Sequence, residues 1–369
     1  MNRLICASCH KTYGLDEVRW GCDCGGVLDI EFDGGLDPAA VASGAPDIWR
    51  YREALALPAR AGAVTLGEGF TPLREMRLAG KKVLVKEEYL NPTGSFKDRG
   101  AAVLVSKVRQ LGVKEVVEDS SGNAGAAAAA YCREAGIKCT VFVPEKALRD
   151  KVERITSFGA KVIRVKGGRQ DCARAALKAA GRTYYASHAR NPFFLEGTRT
   201  LAYEVCEQLG WRAPDAVVLP VGNGTLLLGA YAGFAHLVSL GLAGSLPRLI
   251  GVQAKTCAPL FHAFHGTRAA DGMGALVTPG RTVADGIDVS DPVRGGQVLE
   301  AVRRTGGDML AVDDLEIAAA LRDVAGKGFQ IEPTAAAGVA GLARYLARGD
   351  AAELVVTAFT GSNASALEP

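Results

Sequence analysis

Residues Asn91–Gly100 read NPTGSFKDRG, and they set a single lysine, Lys97, behind a turn of small and hydroxylic residues and at the head of a helical pattern. An amine held in that setting is a candidate nucleophile. The same residues would also serve as the first turn of an ordinary helix. Three more loops follow apolar runs: DSSGNAG at Asp119–Gly125, PVGNGTLLLG at Pro220–Gly229, and TGSNAS at Thr360–Ser365. The first two place Gly, Ser, Thr and Asn at helix starts, where unpaired N–H groups and the positive end of the helix dipole attract anions. None of them ends in the Gly-Lys-Ser/Thr of a nucleotide-phosphate loop. GNGTLLLG lacks G-x-G-x-x-G spacing, and the strand RLIGVQA ends without the acid that would hold a ribose. A lysine amine combined with anion cradles fits instead a Schiff base to a phosphorylated aldehyde cofactor, pyridoxal phosphate.

A second chemistry is legible at the start of the chain. Four of the nine cysteines, Cys6, Cys9, Cys22 and Cys24, fall in the first 24 residues as CASC and CDC. Two close pairs on tight turns suit a tetrahedral zinc site, with His10 as a substitute ligand, because a cap this small has little core of its own. The alternative is four reduced thiols packing a small β-rich unit. The remaining cysteines are scattered, as expected for buried thiols in a reducing compartment.

These loops need a scaffold to position them. Apolar runs of strand length (KKVLVKEE, KEVVEDS, KCTVFVPE, AKVIRVK, DAVVLPV, RLIGVQA, LVVTAF) alternate with Ala-rich stretches of helical period. The alternation predicts an α/β fold with two open, mainly parallel sheets and helices on both faces, and ligands beyond the carboxyl ends of the strands. A short helical stretch is expected near Trp49–Ala56, and the weakly periodic segment 268–291 reads as a long active-site loop. The chain has 369 residues, 48% hydrophobic and 22% charged, with net charge +3. No basic run suggests nucleic acid, and no apolar stretch reaches the roughly 18 residues of a membrane span. The start MNRLICASCH lacks a signal-peptide core, so a cytoplasmic protein is expected.

LNPTGSFKDRG with SSGNAG and the downstream Gly-rich loop resembles the threonine synthase family, within the tryptophan-synthase-β-like fold of pyridoxal phosphate enzymes. WRYREAL, VTLGEGFTPL and RNPFFLEGTRTLAYEV agree, and so does the cysteine-bearing start, which resembles a zinc-ribbon-like cap. The resemblance implies a cap at 1–33, a large cofactor domain of 34–97 and 190–369, and a smaller mobile domain of 98–189. It implies that Lys97 forms the Schiff base with Phe96 beside it, and that Asn123 bonds the ring oxygen of the cofactor. Gly222, Asn223, Gly224 and Thr225 would hold the cofactor phosphate, and Thr360 would face the pyridine nitrogen. Ser120, Ser121, Gly122 and Ala124 would bind the substrate carboxylate. The partners it implies are a small, phosphorylated amino-acid substrate and a second copy of the chain in a homodimer, with no nucleic acid and no membrane. The reaction it implies turns O-phosphohomoserine and water into threonine and phosphate.

The departures from the family pattern bear mainly on the substrate. The carboxylate loop has Ala124 where a threonine is usual, and KGGRQD has Gly168 in place of an asparagine. Phe194 stands where an arginine is usual, and the final loop reads TGSN rather than TGHG. Arg169, Arg174 and Asn191 are the candidates for a substrate anion, although either arginine would equally sit on the surface. These changes keep open β-elimination or β-replacement on serine, phosphoserine or threonine. A non-catalytic binder that recruits partners through its cap is the reading from a different class.

Overall fold

The computed structural model describes residues 2–57, 62–267, 282–349 and 352–362. Within them the strands, in chain order, are β1 (Arg3–Cys6), β2 (Thr12–Gly14), β3 (Leu28–Glu31), β4 (Leu73–Leu78), β5 (Lys81–Lys86), β6 (Glu115–Glu118), β7 (Lys138–Pro144), β8 (Lys161–Val165), β9 (Tyr184–Tyr185), β10 (Ala216–Pro220), β11 (Arg248–Ala254), β12 (Asp308–Val312) and β13 (Val355–Ala358). Each of the seven apolar runs read as strands contains one. The stretch near Trp49 forms a 3₁₀ helix, Ile48–Ala54, capped by the Asp47 side chain on Trp49 N. Of the expected active-site loop, 268–281 lies outside the described residues, and a short 3₁₀ turn, Asp285–Ile287, follows it. Among the described residues no helix is long and apolar enough to cross a membrane.

The described chain divides into two compact units. One runs up to Phe70 and resumes over Asn91–Thr200; the other holds Thr71–Leu90 and the chain from Leu201. The sequence-based division instead set 1–33 apart and joined 34–70, 91–97 and 190–200 to the part that holds the β4–β5 hairpin, which pairs with β13. The first residues share a core with the helices that follow Lys97: Leu4, Tyr13 and Leu28 cluster with Leu104, Val108 and Tyr131. The Lys107 ammonium also meets Asp16 at 2.9 Å.

The first unit carries a four-stranded parallel sheet, ordered β8-β7-β6-β9, and the three-stranded antiparallel sheet β2-β1-β3. Successive residues of β6 feed two cores, as the pleat requires. Val116 packs with helices Lys97–Gln110 and Asn123–Glu134, and Val117 packs with Cys172 and Ala176 of helix Arg169–Ala179. The second unit carries a six-stranded sheet, β12-β11-β10-β13-β5-β4, parallel except for the edge strand β4. Val218, Ile250, Val252 and Leu310 of that sheet bury against Ala335, Val339 and Leu342 of helix Pro333–Leu346.

Candidate active site

Lys97 begins the helix Lys97–Gln110, and its turn is tied down on every side. Asn91 Oδ1 accepts the Gly69 N–H at 2.9 Å. Asp98 accepts from Thr93 twice, from its N–H at 2.9 Å and from its hydroxyl at 2.7 Å. Gly94 takes φ +75°, a left-handed turn that a side chain would resist. Complete burial pushes the Asp98 carboxyl up to about 7, so near neutrality it is close to half protonated. The Lys97 side chain is half-buried, with Nζ 4.5 Å from the Phe96 ring centroid and 5.7 Å from that of Phe194. The sequence setting therefore folds into a rigid turn that presents one amine against two aromatic faces.

Asn123 opens the helix Asn123–Glu134 behind Gly122. Arg154 donates to Asn123 Oδ1 at 3.3 Å and also to the Thr93 carbonyl, so one guanidinium joins this loop to the lysine turn. Nothing in the sequence marks Arg154, since the partners it bridges lie 31 and 61 residues away. Ser120 Oγ accepts the Gly122 N–H at 3.2 Å, which shapes the loop. Ser121 is half-buried and Ala124 is buried.

In the second unit, Gly222, Asn223 and Gly224 lead from β10 into the helix Thr225–Ser239. Gly224 takes φ +79°, and a Cβ there would come within 2.2 Å of Val298 Cγ2; a Cβ on Gly222 would come within 2.9 Å of the Gly286 carbonyl. At Gly222 and Gly224 there is room only for backbone, and the loop opens a long helix, the kind of N-terminus that attracts a phosphate. After β13, Thr360 is buried, and its Oγ1 has no hydrogen-bond partner among the described residues. Such an orphaned hydroxyl is costly in a finished core and suits a ligand site. The rest of the expected final loop, 363–365, lies outside the described residues.

Comparison with known proteins decides the family. The pyridoxal-phosphate dependent enzyme family matches residues 64–361. The chain is 37% identical to the threonine synthase of Methanocaldococcus jannaschii, over 96% of this chain and 91% of that protein. It is 38% identical to the threonine synthase of Methanosarcina acetivorans, over 95% and 88%. The chain belongs to the threonine synthase family of pyridoxal-phosphate dependent enzymes. Among solved structures, a threonine deaminase from T.th. is similar at 26% identity and TM-score 0.66, covering 81% of this chain and 94% of that one. Maize serine racemase shares the fold at 22% identity and TM-score 0.67, covering 79% and 88%.

Family membership makes this a pyridoxal phosphate-dependent lyase of threonine synthase type, and its residues fit the cofactor. An amine on a rigid turn, a tight glycine loop at a helix start and a buried hydroxyl with no partner among the described residues are what an aldehyde, a phosphate and a ring nitrogen would need.

The candidates for a substrate anion fare differently. Asn191 is fully buried and committed: its Oδ1 accepts the Phe193 N–H at 3.1 Å, and its Nδ2 donates to Tyr184 Oη at 3.0 Å and to the Tyr185 carbonyl at 3.3 Å. It caps the helix Pro192–Thr198 and has no amide group to spare. Arg174 pairs with Asp171 at 2.5 Å on an exposed surface. Arg169 is exposed at the head of its own helix, behind Gly168. Phe194 puts a buried ring near Lys97, where the family pattern has an arginine.

The four N-terminal thiols converge. Cys6, Cys9, Cys22 and Cys24 bring their sulfurs within 4.8 Å of one another, with Cys6–Cys24 and Cys9–Cys22 each at 3.5 Å. A tetrahedral zinc with Zn–S bonds near 2.3 Å sets sulfurs about 3.8 Å apart, so the cluster fits that ion. The N–H groups of Ser8 and Cys9 both point at Cys6 Sγ at 3.4 Å, as they would toward a thiolate. The Tyr13 hydroxyl, 3.0 Å from Cys22 Sγ, helps to draw that thiol down to about 6. His10 is exposed and does not belong to the cluster.

The sequence reading also passed over Glu118, Asp119 and His188, which the structure gathers beside the Ser120 loop. The signal was present: Glu118 and Asp119 directly follow the apolar pair Val116–Val117 at the end of β6.

Proposed function

We propose that this enzyme converts O-phosphohomoserine and water to threonine and phosphate. The observation that carries the reading is the match to threonine synthases at 37–38% identity over 95–96% of the chain, and the family match over 64–361 includes the lysine turn, both Gly-rich loops and Thr360. When bound, pyridoxal phosphate supplies an aldehyde that takes up an amine and a ring that spreads the negative charge left at Cα. Lys97 would hold the cofactor through Nζ and, once released, move the protons at Cα and Cβ. Phe96 flanks it, Asn123 would donate to the ring oxygen, and Gly222, Asn223, Gly224 and Thr225 would take the phosphate. Thr360 Oγ1 would meet the ring nitrogen and, as a neutral hydroxyl, leave it largely unprotonated. Ser120, Ser121 and Gly122, with the Ala124 N–H, would bind the substrate carboxylate. Cys6, Cys9, Cys22 and Cys24 would hold a structural zinc ion.

A second reading, β-elimination or β-replacement on serine, phosphoserine or threonine, draws on the buried Phe194 ring and on the surface pairing of Arg174. Assay of the purified protein with phosphohomoserine, phosphoserine, serine and threonine separates the two. Threonine and phosphate from phosphohomoserine are expected; turnover of serine or phosphoserine alone would replace the first reading with the second.

The role of Thr360 has its own test. In Thr360→Val a methyl replaces a buried hydroxyl that has no partner among the described residues, so the cofactor-free protein is expected to gain about 1 kcal/mol of stability. Cofactor affinity is expected to fall about fivefold, the value of one neutral hydrogen bond. Melting curves without cofactor and cofactor titration read the two opposite signs.

A further inference from the structure

Arg154 has no part in the roles above, yet it meets two groups that carry them, the Asn123 amide and the lysine turn. It belongs to the helix Arg149–Ser157, which is seated by its fully buried Ile155. A Cβ on Gly125 would come within 3.1 Å of Ile155 Cδ1 and would run into the Ser120 carbonyl. The bare backbone at Gly125 therefore lets this helix lie directly on the Asn123 loop. That brings the half-buried Arg154 to the Asn123 side chain. One of its terminal nitrogens donates to Asn123 Oδ1 at 3.3 Å, and the other donates to the Thr93 carbonyl.

The two contacts do different things. Thr93 is a fixed point, because the buried Asp98 holds its N–H at 2.9 Å and its hydroxyl at 2.7 Å. Its carbonyl therefore anchors the guanidinium. A guanidinium is a planar fork of donors with no acceptor, so the Asn123 atom that faces it must be the oxygen. With its oxygen turned to Arg154, the amide presents its NH2 end on the opposite side. The positive charge also draws electrons toward Oδ1, which makes the amide N–H groups stronger donors.

We propose that Arg154 is a positioning residue that fixes the sense of the Asn123 amide, so that the ring oxygen of the cofactor meets a donor. The proposal rests on Asn123 facing that oxygen, as in the reading above. An amide released from this hold is free to turn its own oxygen toward the ring oxygen, which sets two acceptors face to face. The Thr93 anchor ties the same guanidinium to the turn that carries Lys97. Amide and amine are thus held in one frame by a side chain from a third element.

Cofactor titration of Arg154→Met, Asn123→Ala and the double variant tests this. Each single variant is expected to lose about tenfold in cofactor affinity, the value of one good hydrogen bond. The double variant should lose no more than Asn123→Ala alone, because the arginine acts through that amide. Arg154→Lys keeps the charge but not the fork, so it should recover part of the loss, and it carries the same comparisons should Arg154→Met not fold. In cofactor-free protein, nitrogen-15 relaxation should show a rigid Asn123 NH2 in the wild type and a mobile one in Arg154→Met. Losses that add in the double variant would overturn the proposal, and so would an Asn123 amide equally rigid without the arginine. If Asn123→Ala loses affinity and Arg154→Met does not, the failure belongs to the proposal alone. If Asn123→Ala binds cofactor as the wild type does, the reading of Asn123 has failed and the proposal falls with it.

Discussion

Lys97→Ala is expected to abolish turnover, with kcat lower by about 10³-fold or more, while leaving the fold intact. The two halves of this expectation have different origins. Lys97 Nζ would both carry the cofactor and move the protons at Cα and Cβ, and a positioned proton-transfer group alone contributes about 10²–10⁴-fold. The structural cost is small. The side chain is half-buried against the Phe96 and Phe194 rings, and the turn beneath it is held by Asn91, Thr93 and Asp98 rather than by the lysine. Alanine is also a good residue for the first turn of a helix. Melting temperature should therefore move by no more than a few degrees, the usual result for a substitution outside the core. Lys97→Arg should not rescue activity, because a guanidinium stays charged at any working pH and can neither attack an aldehyde nor accept a proton. Steady-state kinetics beside a melting curve check both halves, and an active Lys97→Ala enzyme would remove the lysine from the mechanism.

Removal of metal is the second large effect. Purified protein is expected to carry about one zinc per chain, and a strong chelator or Cys22→Ser should release it and unfold the first 33 residues. Structural zinc in small modules contributes about 10–16 kcal/mol of apparent binding energy at neutral pH. The cap's own apolar content, Leu4, Tyr13 and Leu28 with a few half-buried neighbours, is too slight to replace that. The loss should spread, because the cap shares its core with Leu104 and Val108 of the helix that begins at Lys97, and Asp16 holds Lys107. Metal analysis, limited proteolysis and a melting curve with and without chelator provide the readout. Protein without zinc, with a protease-resistant cap, would favour four reduced thiols.

How much of this was legible in the sequence depends on whether the signal was local. Parallel strands announce themselves as apolar runs, so β5 to β8, β10, β11 and β13 were readable, even though the edge strand β8 has no buried residue. The edge strand β4, LREMRL, has no such run because most of it faces solvent, and its Ala79–Gly80 turn with both φ values positive is a weak hairpin signal. Within the site, the lysine turn and the Gly-rich loops could be read because their residue types are forced by backbone geometry. Arg154 could not, since its importance is a matter of reach across the fold. Asn191 was ambiguous, because a helix cap and a ligand-binding amide look identical in sequence, and only the fold shows that its side chain caps the helix Pro192–Thr198. Glu118 and Asp119 were visible as letters, but only the pairing of β6 with β9 brings His188 to them.

The central claim is that the Lys97 amine carries the pyridoxal phosphate. Its most direct test is borohydride reduction of the cofactor-loaded protein followed by peptide mass mapping. The account predicts a bleached protein with the phosphopyridoxyl mass on the peptide containing Lys97, and on no other lysine. A protein that takes up no cofactor, or one that carries the adduct on a different lysine, would contradict it.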